Sequence, residues 1–326
     1  MVTKIKVFKP CKFGKNMKML HFTDVHDGIQ ELEAVRDFAK ERKDLDAVMC
    51  TGDLLSATML DNDDLGTMLN SWAFLRASIP IERPISAQEF TSAVIRGIIA
   101  NAGRIDERII RASDNYARIE EKFDEALKTH YGSLRDIIKG FPQRVLMIPG
   151  NWDTVNFDEY FGEFNIHGEI VDVSGTRVAG YGRYNFIPNV VPPTRVDESY
   201  DPRELYNFLV DADPQIALTH APPYGILDGT NQTQRLGDFA TLSYMLRESP
   251  VLLLCGHKHN FIGKEQPEYA RTVVVNSGNL GKYPEEPQYG TFSEIELEGE
   301  DVKNVLFYIV QDGKVQEYKG NGSASS

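Results

Sequence analysis

Cysteine is scarce in this chain, with three in 326 residues, at positions 11, 50 and 255. So sparse and odd a set excludes a disulfide framework. Cys50 and Cys255 lie in the apolar runs "DAVMCTGD" and "VLLLCGHKH", where a thiol packs as a small hydrophobe. A reducing compartment is expected. Long hydrophobic runs are missing too: the longest clean ones last about five residues against the roughly 20 that span a bilayer. With no secretory apolar region either, the expectation is a cytoplasmic protein with no membrane partner. Positive charge is in short supply, since 35 Lys and Arg face 48 Asp and Glu for a net charge of −13. Affinity for a polyanion is built from clustered Lys and Arg, so broad nucleic-acid binding is excluded as a main role. The one basic stretch is the first 18 residues, with Lys4, Lys6, Lys9, Lys12, Lys15 and Lys18 and no acid. The alternation in "KIKVFK" predicts a solvated edge strand there rather than a nucleic-acid arm.

What is present is enough hydrophobic residue, 41%, for an ordinary globular protein, and enough length for one large α/β domain with an insertion or for two domains. No repeat of fixed period is evident. The opening alternates: "MKMLHFTD" reads as a strand, "IQELEAVRDFAKER" as a helix with apolar positions 29, 32, 35, 38 and 39, and "DAVMCTGD" as a second strand. This is the start of a parallel α/β sheet. The next strand, "RVLMIPGN", begins only near Arg144, far beyond an ordinary connection, so residues 56–140 read as an insertion.

The inserted stretch is predicted helical. Leu65, Leu69, Trp72 and Leu75 form one stripe, and Phe90, Val94 and Ile98 another. Ile105, Ile109, Ala112, Tyr116, Ile119, Phe123 and Ala126 recur at alternating spacings of four and three, a seam about 30 Å long. A helical hairpin packed on itself, or a dimer contact, explains the seam more simply than a cofactor box. Beyond residue 155, strands ("IHGEIVDV", "TRVAGYGR", "PQIALTHAPP", "PVLLLCGHKH") alternate with helices ("PRELYNFLVDA", "GDFATLSYMLRE"). The end turns β-rich, with "ARTVVVNSG", "GTFSEIELEG" and "VKNVLFYIV" predicting antiparallel strands, and residues 319–326 read as a disordered tail.

Five strand-like runs end in side chains able to hold a metal: Asp24 and His26, then Asp53, Asn151, His220, and finally His257 with His259. Each has a bland reading alone, because Gly-Asp after a strand is often a turn and a His near a strand end is often a hydrogen-bonded core residue. Together they carry more, since the carboxyl ends of parallel strands share one rim and the five termini can converge. In "VLMIPGNWDT", Gly150 is expected to permit the turn that presents Asn151.

These blocks, D-x-H, G-D, G-N, H and G-H-x-H in that order, resemble the calcineurin-like metallophosphoesterases. The stretch from "ALTHAPPYGILDG" through "ESPVLLLCGHKH" to "TVVVNSGNL" is most similar to the Icc-related phosphoesterases of that superfamily. The resemblance covers residues 17–55 and 143–282. "GDLLSA" lacks the Arg and Asp that mark the phosphoprotein-phosphatase branch, and the tyrosine ligand of purple acid phosphatases is absent. The resemblance implies a four-layer α/β/β/α sandwich of two mixed sheets, here one domain with the helical insertion as a cap or oligomerisation element. It places one metal on Asp24, His26 and His259 and a second on Asn151, His220 and His257, with Asp53 bridging; Asp53, Asn151 and His220 are the expected catalytic residues. Carboxylate and imidazole ligands suit two divalent transition-metal ions, Mn, Fe, Zn or Ni with Mn favoured, which make a bound hydroxide the nucleophile on a phosphate ester.

Phosphodiesters are favoured over monoesters among small phosphate-ester substrates, and a homo-oligomer through the insertion is allowed. The rivals are a nuclease, which needs a basic groove, and a non-catalytic scaffold binding partners through the insert. Trp152 departs from the superfamily pattern, where His commonly follows the Asn ligand and protonates the leaving oxygen with an Asp, here Asp153, to orient it. The indole is expected to cap the apolar strand end, with stacking on a flat leaving group the functional alternative. His130, His167, Tyr181 and Arg183 are the candidate replacements for the missing acid.

Overall fold

The structure, a computed structural model, describes residues 16–55, 58–78, 106–184, 191–197, 199–229, 235–281 and 289–319. Cys11, the lysine-rich start up to Lys15, the Phe90–Val94–Ile98 stripe, Ile105 and the tail beyond 319 lie outside the described residues.

Two six-stranded sheets stack face to face. The first contains β1 (Met17–Phe22), β2 (Ala47–Cys50), β3 (Arg144–Met147), β10 (Gly290–Glu298), β11 (Asp301–Gln311) and β12 (Lys314–Glu317), in the order β12-β11-β10-β1-β2-β3. The second contains β4 (Glu169–Val173), β5 (Thr176–Tyr181), β6 (Ile216–Thr219), β7 (Leu252–Cys255), β8 (Gly263–Glu265) and β9 (Val273–Asn276), in the order β4-β5-β6-β7-β9-β8. Both are mixed: the first is parallel over β1-β2-β3, with β3 at its edge, and antiparallel over β10, β11 and β12, while the second is parallel over the central β5-β6-β7-β9 and antiparallel at both flanks. The central strands read as unbroken apolar runs because both their faces are covered.

Alternation along each strand assigns residues to layers. Met19, Met49, Leu146 and Ile148 point between the sheets, where they meet Val178, Ile216, Leu218, Leu254 and Val275. On the outer side of the first sheet, Leu20, Phe22, Val48, Cys50, Val145 and Met147 pack under α1 (Ile29–Lys40) and α3 (Glu107–Lys139), in one core with residues of α2 (Asn62–Ser78) and of the short α4 (Phe157–Phe161). On the outer side of the second, Ala179, Tyr181, Ala217, Leu253, Cys255 and Val274 pack under α5 (Pro202–Ala212) and α6 (Phe239–Glu248). The result is the four-layer α/β/β/α sandwich. Asp201 caps α5 and Asp238 caps α6, each accepting two backbone N–H groups of the first turn.

The helical stretch differs from expectation in extent. α3 is a single helix of 33 residues, about 50 Å long, capped by Asp106. Ala112, Tyr116, Ile119 and Phe123 are buried as the seam predicts, but the stripe then runs on through Leu127 instead of Ala126 and continues as Tyr131, Leu134 and Ile138. An α-helix has 3.6 residues per turn, so a strict heptad drifts off the contact line and a spacing of four restores it. The last turns of α3 therefore cover the first sheet, while its earlier turns carry α2, with the Trp72 and Tyr116 rings 5.3 Å apart. The seam is filled within one chain. Among the described residues no helix is long and apolar enough to cross a membrane.

Register brings the strand ends level. Phe22 lies beside Cys50 and Cys50 beside Met147 in the first sheet, while Leu218 pairs with Leu254 and Cys255 with Asn276 in the second. The loops that follow these strands emerge at one shared rim.

Candidate metal centre

The loops at this rim are stitched by their own backbones. Asp24 N donates to Gly52 O at 2.9 Å and His26 N to Asp53 O at 3.1 Å, tying the β1 and β2 loops, and Gly256 N donates to His220 O at 2.8 Å in the other sheet. His220 Nδ1 donates across the sandwich to Thr51 O at 2.7 Å. Four of the seven candidate ligands have left-handed backbones, with φ of 51° at Asp24, 42° at His26, 56° at Asp53 and 65° at His257. Such conformations cost energy for residues with a Cβ and persist where the surroundings enforce them, most often at functional sites.

Two groups of side chains result, the ligand atoms of each lying within 4.8 Å of one another. In the first, His259 Nε2 lies 3.1 Å from Asp24 Oδ1 and 3.4 Å from His26 Nε2. His26 Nδ1 donates to Leu55 O at 2.9 Å, which fixes the tautomer and leaves Nε2 with its lone pair facing the group. In the second, His220 Nε2 lies 3.3 Å from Asp53 Oδ2, and Asn151 Oδ1 is 2.8 Å from His220 Nε2 and 2.9 Å from His257 Nδ1. The structure thus brings all seven sequence-predicted residues to one rim, three in one group and four in the other, with Asp53 in the second.

The electrostatics call for cations. Burial opposes protonation of His220, yet the Asp53 carboxylate beside it prevails and pushes its pKa up to about 9. Burial, with His220 next to it, pushes His257 down to about 3. Burial would raise Asp24, but His259 and its neighbours hold it well below the usual carboxylate range. A divalent ion offsets buried carboxylate charge of this kind where imidazole nitrogens and oxygens converge. The donor set, carboxylate, imidazole and amide oxygen, fits two divalent transition-metal ions.

Gly150 serves differently from the turn role expected of it. Its φ is not left-handed; the requirement is space, since a Cβ there would sit 2.1 Å from Asp53 Oδ1 and one on Gly52 would sit 2.1 Å from Gly150 N. The family pattern would have Asp153 orient an acid at position 152, where this chain has Trp. Asp153 is a buried clamp, accepting from Gly150 N at 2.8 Å, Asp53 N at 2.9 Å, Leu54 N at 3.0 Å and the Tyr131 hydroxyl at 2.9 Å. Burial and the nearby Asp53 charge raise its pKa, and these donors pull the other way.

Trp152 donates its backbone N–H to Asp53 Oδ1 at 2.7 Å, and its ring stands edge-on to His26 at 4.9 Å while packing against the outer core, so the indole does cap the strand end. The four suggested replacement acids are engaged elsewhere. His130 Nε2 bonds Leu54 O at 2.8 Å, His167 Nδ1 accepts from Gly182 N at 2.9 Å, the Tyr181 hydroxyl points to Glu204 at 3.5 Å, and Arg183 forms an ion pair with Asp197. Sequence reasoning passed over Tyr184, the last residue of "GYGRY", whose ring lies 5.0 Å from that of His257. Burial and the nearby Asp238 push its pKa up to about 12. An aromatic three residues beyond a strand carries no signal of its own.

A four-layer sandwich with two ligand groups at its rim is the architecture of a metallophosphoesterase. The chain belongs to the calcineurin-like phosphoesterase family, whose model matches residues 17–97 and 106–261. That family ordinarily binds two divalent metals and indicates a metal-dependent phosphoesterase or related hydrolase. One solved crystal structure aligns over 93% of this chain and 100% of its own at 14% identity with a TM-score of 0.55, a likeness of fold. The protein TT1561 of Thermus thermophilus aligns over 93% and 98% at 14% identity and TM-score 0.44, and a dimetal phosphatase from Danio rerio over 92% and 98% at 10% and 0.47. No curated protein matches the sequence.

Proposed function

We propose that this protein hydrolyses small phosphate esters, phosphodiesters ahead of monoesters, at two divalent transition-metal ions with manganese favoured. The observation that carries the reading is the convergence of seven oxygen and nitrogen ligands from five strand ends into two adjacent groups. Asp24, His26 and His259 would hold one ion and Asn151, His220 and His257 the other, with Asp53 shared between the two sites. When bound, the ions activate water for attack and offset the negative charge of the phosphate.

The chain's own residues orient this centre. Thr51 O and Leu55 O fix the tautomers of His220 and His26, and Trp152 N holds one oxygen of Asp53 so that the other is presented to the second group. The net charge of −13 favours a small ester over a nucleic acid, and the paired α2 and α3, which follow the carboxyl end of β2, are read as a cap or an oligomerisation element. Two buried free thiols, Cys50 and Cys255, suit a cytoplasmic setting. A partner-binding scaffold of the same fold has no need of an intact ligand set, and every position is intact here.

The test is metal analysis of protein purified without chelator, together with a panel of monoester, diester and nucleotide substrates. Two ions per chain with metal-dependent turnover is the expected result. Protein that binds metal and turns over none of the panel would overturn the activity.

A further inference from the structure

Helix α3 grips the loop that carries Asp53 at two adjacent positions. Tyr131, fully buried, donates its hydroxyl hydrogen to Asp153 Oδ1 at 2.9 Å and accepts from Thr154 N at 3.4 Å. Asp153 passes that grip to the main chain of Asp53, Leu54 and Gly150 through the three N–H groups it accepts. One residue earlier on the helix, His130 donates Nε2–H to Leu54 O at 2.8 Å. The next carbonyl, Leu55 O, is the acceptor that fixes the His26 tautomer. The backbone from 53 to 55 is thus held by polar bonds on both of its edges, and it carries one ligand and orients another.

Asp53 and His26 both need holding, because their left-handed backbones relax unless neighbours enforce them. Apolar packing cannot do this, since it does not distinguish one peptide orientation from another. The bonds from Tyr131 and His130 do, because each is directional and each meets a group within two residues of Asp53, or a carboxylate bonded to it.

We propose that Tyr131 and His130 of α3 are positioning residues for the metal centre: through Asp153 and the Leu54 carbonyl they hold Asp53 and His26 in the geometry that binds metal. This rests on the reading of the rim as a two-metal site. It adds that the long helix, whose outer half carries α2, is part of what makes the site bind.

The experiment titrates metal-free protein with cobalt(II), following heat and the visible spectrum, with no substrate present. Removing an outer-shell partner typically costs about 10- to 100-fold in metal affinity, and that loss with an altered cobalt spectrum is expected for Tyr131→Phe and for His130→Ala. His130→Gln, whose amide can still donate to Leu54 O, is expected to recover most of it. Tyr116→Phe is the control: it lies on the same helix, but its hydroxyl meets Thr194 at 3.1 Å, so wild-type affinity is expected. Wild-type affinity and spectrum in Tyr131→Phe, or an equal loss in Tyr116→Phe, would overturn the proposal. Should Tyr131→Phe not fold, equal affinities in His130→Ala and His130→Gln would do the same. Because cobalt binding is read without turnover, failure of the esterase reading shows separately, as metal-loaded wild-type protein that cleaves no ester.

Discussion

The backbone N–H of His257 donates to Asp24 Oδ2 at 3.0 Å, so a carboxylate of one ligand group holds the main chain that carries a ligand of the other. Thr23 Oγ1 donates to the same oxygen at 2.6 Å, which leaves Oδ1 for His259. The strand ends of two different sheets meet in this one carboxylate. Binding at the rim and cohesion of the sandwich are therefore coupled, and metal should act as a stabilising ligand.

That coupling gives the first expectation. An ion that binds only the folded chain adds about 2.7 kcal/mol per site when its free concentration is 100 times its dissociation constant. At an unfolding entropy of about 2.1 cal/mol/K per residue, each kcal/mol shifts the melting temperature of a 326-residue chain by roughly 1.5 °C, so removing metal should lower it by several degrees. Thermal scans in chelator and after restoring manganese measure the shift. Superimposable transitions would show that the rim holds no ion in the folded state.

Asp53→Asn should separate metal chemistry from folding. Asparagine tolerates the left-handed backbone of position 53 better than most residues, and it keeps an oxygen to accept from Trp152 N. What it loses is the charge that faces His220. Hydrolysis should fall by at least about 10- to 100-fold, while the metal-free protein still unfolds in one cooperative urea transition, at a lower midpoint because the buried His220 loses its charged partner. A variant that unfolds outright would assign Asp53 to the scaffold rather than to the site.

How much of this was legible in the sequence depended on whether a feature was local. The central strands show as apolar runs because both faces are buried, and the ligands show because each closes such a run, as His220 does after "IALT". The roles of Gly150 and Asp153 were not legible. Gly150 is required by the oxygen of Asp53, nearly a hundred positions away in the chain, and Asp153 bonds the same loop. Tyr131 read only as a helix residue, since its hydroxyl partners depend on where α3 lands on the sheet. The slip from Ala126 to Leu127 has a similar origin: a heptad template is stiffer than the helix it describes.

Stability of the metal-free protein should depend on pH through His21. It lies fully buried between the sheets, with Nδ1 at 2.7 Å from Ser277 Oγ and Nε2 at 3.0 Å from Thr51 Oγ1. Burial pushes its pKa down to about 3, with Asp24 only partly opposing. The unfolded chain, with a pKa near 6.5, takes up the proton first, so His21 contributes fully above about pH 6.5 and progressively less as pH falls toward 3. Between pH 7 and 5 the loss is about 2 kcal/mol. Urea unfolding in chelator at the two pH values, in wild type and His21→Gln, isolates this share because other buried histidines contribute to both. An equal pH dependence in the two proteins would contradict the assignment.

Trp152 sets the last expectation. The residue after the Asn ligand is here an indole packed edge-on against His26, and His130, His167, Tyr181 and Arg183 contact Leu54, Gly182, Glu204 and Asp197 respectively. Without a proton donor at position 152, the leaving oxygen departs carrying its charge, and rates should depend steeply on leaving-group acidity. A positioned general acid contributes about 10² to 10⁴ in rate, which sizes the penalty for alkyl esters relative to nitrophenyl esters. In Trp152→His the imidazole replaces a ring already beside His26, so the slope should flatten, chiefly by acceleration of the poor leaving groups. The measurement is a series of esters graded by leaving-group pKa, run on both proteins with metal content matched. A flat series in the wild type would mean that a proton already reaches the leaving oxygen. Tyr184, its ring 5.0 Å from that of His257, would then be the first residue to replace with Phe.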